Sequence, residues 1–176
     1  KRPLSCPRIQ RNRMTRLLPL FAALALAGCA TTAAPRADHP EARSYDAALD
    51  AVAAVDAALV RAAQRKTRVL VVLGANWCHD SRALAGWLET PRFAALVAEH
   101  YELVFVNVGM PQTGDGHNLR LARRFGLESV PGTPAVLVVR PDGSAVNLDT
   151  AATWRNAASR SEEAIFAELA ALADQK

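Results

Sequence analysis

Two short apolar runs constrain the fold of this chain more than any other feature of its sequence. They cover residues 69–73 and 135–139, and neither contains a polar side chain. Runs of this length that are rich in valine and show no polar alternation are typical of strands buried on both faces. A sheet built from such strands needs helices on each side to cover it.

The segments around these two runs carry helix and strand patterns in alternation. Helices are predicted at 43–63, 78–88, from Thr90 and Pro91 onward, at 117–125, and from Ser159 or Ser161 to the end. Further strands are predicted at 103–108 and near 144–147, residues 109–116 form a loop, and 149–158 stay ambiguous. This order predicts an α/β domain in which a central mixed β-sheet is flanked by helices on both faces.

A cysteine follows the first apolar run within a distinctive segment, Ala-Asn-Trp-Cys-His-Asp-Ser at 75–81. The helix pattern places Cys78 in the first turn, where free backbone N–H groups and the positive end of the helix dipole favour a thiolate. His79 adds positive charge when it is protonated. Trp77 is expected to shield one side of the thiol, and the Ser81 hydroxyl is placed to donate a hydrogen bond to the sulfur.

Before the second apolar run stands Val-Pro-Gly-Thr-Pro at 130–134. Together with the segment around Cys78, it resembles the thioredoxin-like superfamily, and the element order matches from about residue 43 to 175. The resemblance implies a thioredoxin-like fold. It also implies that Thr133–Pro134 forms the cis-proline loop of that family, beside the active cysteine and open to an extended substrate strand.

The sequence departs from the family pattern at two positions. Ser81 occupies the place of the second, resolving cysteine, and Val72 occupies the place where thioredoxins often bury an aspartate. The site therefore has a single thiol, and a mixed disulfide on Cys78 cannot be released from within the protein. Release would depend on an outside thiol, such as glutathione or a partner protein. No cofactor is predicted.

Two functions remain open on this basis. One is thiol–disulfide exchange through Cys78 with protein clients that carry cysteines or disulfides, or with a small thiol. The other is a non-redox binding or chaperone-like module that uses the same groove. No metal site is predicted, because the side chains of Cys78, His79 and Asp80 diverge on one turn and no further Cys or His pair has ligand spacing. His79 is interpreted as a solvent-facing residue.

The net charge of +4 comes from the front of the chain. Residues 1–28 hold six basic side chains and no acidic one, so residues 29–176 carry 15 basic against 17 acidic side chains. Apart from Arg123 and Arg124, the arginines of that part are scattered. Nucleic-acid binding is therefore not predicted.

The front segment has the pattern of an export signal. A short positive region from Met14 to Arg16 precedes an apolar stretch at 17–27, which is too short to span a bilayer. Leu-Ala-Gly-Cys at 26–29 resembles the bacterial lipobox, which implies cleavage before Cys29 and attachment of lipid to its sulfur. The alternative is an ordinary secretory signal that ends near a cysteine by chance.

These patterns divide the chain into three parts. Residues 1–28 are predicted to be a leader with a lipoprotein signal peptide, of which 1–13 come from an over-long start. Residues 29–42 form a flexible tether, and 43–176 form the thioredoxin-like domain. The expected location is extracytoplasmic and facing the periplasm. In the bacterial lipoproteins that this segment resembles, an aspartate after the lipidated cysteine favours retention in the inner membrane. Ala30 stands at that position here, so the resemblance implies the outer membrane.

Overall fold

The fold is seen in a computed structural model, which describes residues 39–175. The predicted leader, the lipidation residue Cys29 and the tether as far as residue 38 lie outside the described residues, as does Lys176. The helices are α1 (Ala51–Arg65), α2 (His79–Leu88), α3 (Pro91–His100), α4 (Leu119–Arg124) and α5 (Glu162–Asp174). The strands are β1 (Arg68–Gly74), β2 (Tyr101–Asn107), β3 (Gly109–Met110), β4 (Asp115–Gly116) and β5 (Ala135–Val139).

The first apolar run forms β1, the central strand of a three-stranded mixed sheet ordered β2–β1–β5. β1 pairs in parallel with β2 and antiparallel with β5. Since parallel neighbours need a crossover connection, α2 and α3 lie between β1 and β2 in the chain. The antiparallel register sets Leu73 opposite Ala135, so the end of β1 and the beginning of β5 lie at the same edge of the sheet.

Side chains of the sheet alternate between two apolar clusters, one on each face. Val69, Val71 and Leu73 pack with residues of α1 and α4. Leu70 and Val72 pack with residues of α2, α3, α5 and a 3-10 helix, Ala151–Ser159. Burial on both faces explains why neither run contains a polar residue, and it confirms the predicted sheet covered by helices on both faces.

The first helix is shorter at its start than its apolar spacing predicts. It begins at Ala51 because the Asp50 carboxylate accepts hydrogen bonds from the backbone N–H groups of Val52 and Ala53, both at 3.1 Å. Residues 43–50 are not helical. This leaves Tyr45 free to enter the core between the sheet and α2, where it is 1% exposed.

Further differences concern short elements. The loop predicted at 109–116 contains the two-stranded hairpin β3–β4 and a single 3-10 turn between its strands. The helix predicted at 117–125 spans only Leu119–Arg124. From residue 151 onward, the ambiguous stretch at 149–158 lies in the 3-10 helix Ala151–Ser159, and residues 149 and 150 form a turn before it. Ser161 rather than Ser159 caps the last helix.

The strand predicted near 144–147 is reduced to a single bridge, beyond which a side chain takes over the hydrogen bonds with β5. One isolated bridge joins Ala145 to Val139. Beyond it the Asn147 amide accepts from the Val138 N–H at 2.8 Å and donates to the Val136 carbonyl at 2.9 Å. Asn147 is 1% exposed, so this amide satisfies the free edge of β5 inside the protein.

We predict that Asn147→Ala lowers the free energy of unfolding by about 2–4 kcal/mol, because it leaves a buried backbone donor and a buried acceptor unpaired. Urea denaturation measures this change. Asn156→Ala is the matched control, because the Asn156 side chain is exposed, and it should change the stability little. Equal effects of the two substitutions would contradict the assigned role of Asn147.

Candidate functional site

The cysteine of the first motif lies where β1 passes into α2. The Cys78 N–H donates to the Ala75 carbonyl at 3.1 Å, which closes a tight turn after the strand. The Cys78 carbonyl accepts the first helical hydrogen bond, from Arg82 N–H at 3.0 Å. Cys78 is therefore the N-cap residue of α2, and the helix begins at His79, one residue later than predicted.

The thiol points to the loop before β5 rather than to its own helix. Cys78 Sγ donates a hydrogen bond to the Thr133 carbonyl oxygen over 3.2 Å, and the cysteine is only 8% exposed. The Thr133–Pro134 bond is cis, as the resemblance implies. A carbonyl accepts a proton but cannot donate one, so this contact belongs to the neutral thiol. A thiolate has no proton to donate, so ionisation of Cys78 removes this hydrogen bond.

The expected hydrogen bond from Ser81 to the Cys78 sulfur does not form. Ser81 Oγ is fully buried and has no hydrogen-bond partner among the described residues. Thr133 also supplies the carbonyl that accepts the hydrogen bond from the thiol. Its hydroxyl oxygen, Oγ1, is likewise buried and has no partner among residues 39–175. Buried hydroxyls without partners reduce stability, so each one requires an explanation other than packing.

Trp77, which is expected to shield one side of the thiol, is held by a contact with a neighbouring hairpin. Its indole Nε1–H donates to the Gly109 carbonyl at 2.9 Å, which fixes the ring against the β3–β4 hairpin. The side chain remains 48% exposed, and the neighbouring Met110 of that hairpin is 39% exposed. The two residues present apolar side chains to solvent, and Trp77 does so directly before Cys78 in the chain, where a partner can contact it.

His79 was expected to face solvent, but it belongs to a cluster of polar side chains. His79 Nδ1 lies 2.8 Å from one Glu41 carboxylate oxygen, and Arg82 Nε donates to the other oxygen at 2.8 Å. On its other side, His79 Nε2 lies 3.2 Å from His39 Nε2. The hydrogen bond from Arg82, together with its charge, holds the pKa of the Glu41 carboxyl below its usual value.

His39 and Glu41 were assigned to the tether, and no pattern in the sequence points to their role. The segment that carries them packs on α2, because the Ala42 N–H donates to the Arg82 carbonyl at 3.0 Å. Gly86 permits this close approach, since a Cβ there would lie 2.3 Å from the Pro40 carbonyl oxygen. The folded part of the chain therefore includes residues 39–42.

The third polar residue of the motif has a separate structural role. The Asp80 carboxylate accepts a hydrogen bond from the Ala158 N–H at 2.8 Å, which joins α2 to the 3-10 helix Ala151–Ser159. Cys78, His79 and Asp80 thus each contact a different part of the protein. The sequence argument that adjacent side chains on one turn diverge is correct for these three residues.

Tyr45 is hydrogen-bonded to the turn and the helix that carry Cys78, and no pattern in the sequence predicted this role. Its hydroxyl donates to the Ser81 carbonyl at 3.2 Å, and burial raises the pKa of this phenol well above its usual value. The Asn76 side chain accepts from the Tyr45 N–H at 3.2 Å and donates to its carbonyl at 3.0 Å. The ring fits only because Gly74 has no side chain, since a Cβ on Gly74 would lie 2.5 Å from the nearest ring carbon of Tyr45.

Val72, at the position where thioredoxins often bury an aspartate, is fully buried in the sheet.

We predict that Ser81→Ala leaves stability unchanged or raises it, by up to about 1–3 kcal/mol, because it removes an unpaired buried hydroxyl. Ser161→Ala is the control, since the Ser161 hydroxyl caps α5 by accepting from the Ala164 N–H at 3.2 Å. That variant should lose about 1 kcal/mol. Thermal and urea unfolding measure both changes, and a clear loss in Ser81→Ala would mean that its hydroxyl is satisfied.

Comparisons with known proteins agree with this fold. Residues 50–141 match a family model described as thioredoxin-like. The structure is similar to a crystal structure described as a disulphide isomerase from Xylella fastidiosa Temecula1, with 35% sequence identity and a TM-score of 0.67. The match covers 74% of this chain and 96% of that one. No curated protein matches the chain significantly.

The family match covers more than half of the chain, and the similar structure shares the fold over almost its whole length. The mixed sheet, the helices on both faces and the cis bond at Thr133–Pro134 agree with that assignment. This chain belongs to the thioredoxin-like family.

Proposed function

We propose that this protein carries out thiol–disulfide exchange through Cys78, which acts as a single attacking thiol and forms mixed disulfides. Family membership and the likeness to a disulphide isomerase support exchange chemistry in general. The observation that carries the proposal is the 3.2 Å contact between Cys78 Sγ and the Thr133 carbonyl, beside the cis Thr133–Pro134 bond. It brings the thiol to a loop whose backbone can receive an extended partner strand.

The exchange proceeds in two balanced steps. The Cys78 thiolate attacks one sulfur of a partner disulfide, the Cys78–partner S–S bond forms, and the other sulfur leaves as a thiolate that takes up a proton. Since Ser81 occupies the place of a second cysteine, an outside thiol must attack the mixed disulfide and release Cys78. When a client thiol makes that attack, the client disulfide is isomerised without net oxidation. Net reduction takes a further step: a first small thiol such as glutathione releases Cys78 and leaves a client–glutathione disulfide, and a second attacks that disulfide to give glutathione disulfide and the free client thiol.

The surroundings of the thiol favour a protein as the partner. The exposed Trp77 directly precedes Cys78 in the chain, and with Met110 of the hairpin that it contacts it offers apolar surface. The buried Thr133 hydroxyl, which has no partner among the described residues, belongs to the loop that would meet the partner. Exposed apolar side chains next to the cysteine support a role in binding a protein.

Ser81→Cys tests the proposal, because it places a second thiol one helical turn after Cys78 and restores the two-cysteine motif. We predict that this variant gains reductase activity on insulin when a reducing system is supplied, while the wild-type protein shows less. Insulin turbidity measures the rate. Cys78→Ser in the same background removes the attacking thiol and should abolish the gain, and activity that persists without Cys78 would contradict the proposal.

A second candidate function is a binding module without redox turnover. It is favoured by the low exposure of Cys78 and by the absence of a second cysteine at position 81. The two functions differ in what Cys78→Ser does to partner capture. If the protein works by exchange, Cys78→Ser should form no covalent complexes with partners, because the sulfur is missing. If it is a binding module, the same variant should keep its noncovalent complexes.

We further propose that the domain works outside the cytoplasm, held to a membrane facing the periplasm by lipid on Cys29. The support is the signal pattern at 17–27 and the Leu-Ala-Gly-Cys sequence at 26–29. Among residues 39–175, no helix is both long and apolar enough to cross a membrane. The outer membrane is favoured, because Ala30 stands where related bacterial lipoproteins that stay in the inner membrane have an aspartate.

Cys29→Ser tests this anchoring in a bacterial host. We predict that the variant incorporates no fatty acid and either leaves the membrane fraction or accumulates as an uncleaved precursor. Metabolic labelling with a fatty acid and membrane fractionation measure both outcomes. Cys78→Ser, which removes a cysteine from the folded domain, should remain labelled and membrane-bound. Labelling that persists in Cys29→Ser would overturn the proposal.

A further inference from the structure

Two histidines far apart in the sequence converge beside the start of α2. His39 precedes the first helix, and His79 is the first residue of α2, yet their Nε2 atoms are 3.2 Å apart. Ligand atoms from these two residues and from Glu41 all lie within 4.8 Å of one another. Both histidines are partly exposed, so an ion can reach them from solvent.

The neighbouring Glu41 carboxylate fixes where the neutral His79 ring carries its proton. The Glu41 carboxylate lies 2.8 Å from His79 Nδ1, so that nitrogen donates its proton to the carboxylate. In the neutral ring this leaves His79 Nε2 with a lone pair directed at His39. His39 Nδ1 faces the Pro40 carbonyl oxygen at 3.4 Å, and a proton on Nδ1 would leave a second lone pair on His39 Nε2. Two facing lone pairs repel each other unless a cation lies between them.

We propose that His39 and His79 bind a divalent transition-metal ion of the zinc type through their Nε2 atoms, with Glu41 orienting His79. Two imidazole ligands at 2.0–2.1 Å from a tetrahedral zinc ion are roughly 3.3–3.4 Å apart. The observed separation of 3.2 Å is close to that value. Neutral imidazole is a preferred ligand of zinc, copper and nickel, and water molecules would complete the coordination of so exposed a site.

The carboxylate and the protein backbone hold this arrangement in place. Arg82 Nε donates to the second oxygen of Glu41 at 2.8 Å, so the carboxylate is fixed between α2 and His79. A metal-bound histidine commonly donates its other N–H to a carboxylate in this way. The segment that carries His39 is held on α2 by the bond from the Ala42 N–H to the Arg82 carbonyl at 3.0 Å. Both ligands are therefore placed before any ion arrives.

The site is independent of the exchange chemistry proposed for Cys78, because neither ligand is the thiol. It also explains a cluster that the thiol mechanism does not use. The competing interpretation is a plain hydrogen bond between the two rings, in which His39 Nε2 carries the proton. The two interpretations differ in whether the protein binds zinc with both histidines.

Isothermal titration of the full chain, purified without a histidine tag, with zinc chloride tests the proposal. We expect one equivalent of zinc to bind, and His39→Ala and His79→Ala each to weaken the affinity at least tenfold. Glu41→Gln should weaken it about 10–100-fold, as loss of a supporting carboxylate does. The control is His100→Ala, because His100 has a carboxylate 3.7 Å away on Glu99 and is not among the three residues of the cluster. It should bind as the wild type does.

Two further measurements keep the result decisive. Cys78→Ser must retain zinc binding, since affinity that vanishes with the thiol and survives His39→Ala would assign the ion to the sulfur and overturn the proposal. Nitrogen chemical shifts of the imidazoles in wild-type protein report directly which rings the ion contacts, even where a variant is unstable. Absence of binding, or loss that depends on only one of the two histidines, would also overturn it.

Discussion

The pairing of β1 on both of its edges is the constraint on which the rest of the structure depends. β1 is joined to β2 in parallel and to β5 antiparallel, and both of its faces are covered by apolar clusters. Because Leu73 lies opposite Ala135, the residues that follow β1 and those that precede β5 meet at one edge of the sheet. The contact between Cys78 and Thr133 is a direct consequence of this register.

The site combines a well hydrogen-bonded turn with buried hydroxyls that have no partner among the described residues and with an exposed aromatic side chain. Tyr45 makes two hydrogen bonds with Asn76 in the turn before the cysteine and a third with the Ser81 carbonyl in α2. Around the thiol, by contrast, the buried hydroxyls of Ser81 and Thr133 are unpaired among the described residues, and Trp77 is half exposed. A firmly hydrogen-bonded turn that carries an exposed aromatic side chain suits a site whose contacts are completed when a partner binds.

The parts of this structure that follow periodic patterns could be predicted from the sequence. Both apolar runs form the expected strands, and the Thr133–Pro134 bond is cis, as the resemblance implied. The positions of Tyr45 and His39 could not be predicted in this way. Each contacts the start of α2 across 36 to 40 residues of sequence, and such contacts leave no periodic signal. The hydrogen bond expected from the Ser81 hydroxyl to the sulfur is absent, since Cys78 Sγ is directed at the Thr133 carbonyl in the loop rather than along its own helix.

The rate at which Cys78 reacts with a small disulfide, in the folded and in the unfolded protein, tests the central claim most directly. A buried thiol with no role is protected by folding and reacts more slowly than in the unfolded chain. The account predicts the opposite. Although the cysteine is only 8% exposed, the helix start should stabilise its thiolate, and the folded protein should react faster with oxidised glutathione. A slower reaction in the folded state would contradict the assignment of Cys78 as the attacking thiol.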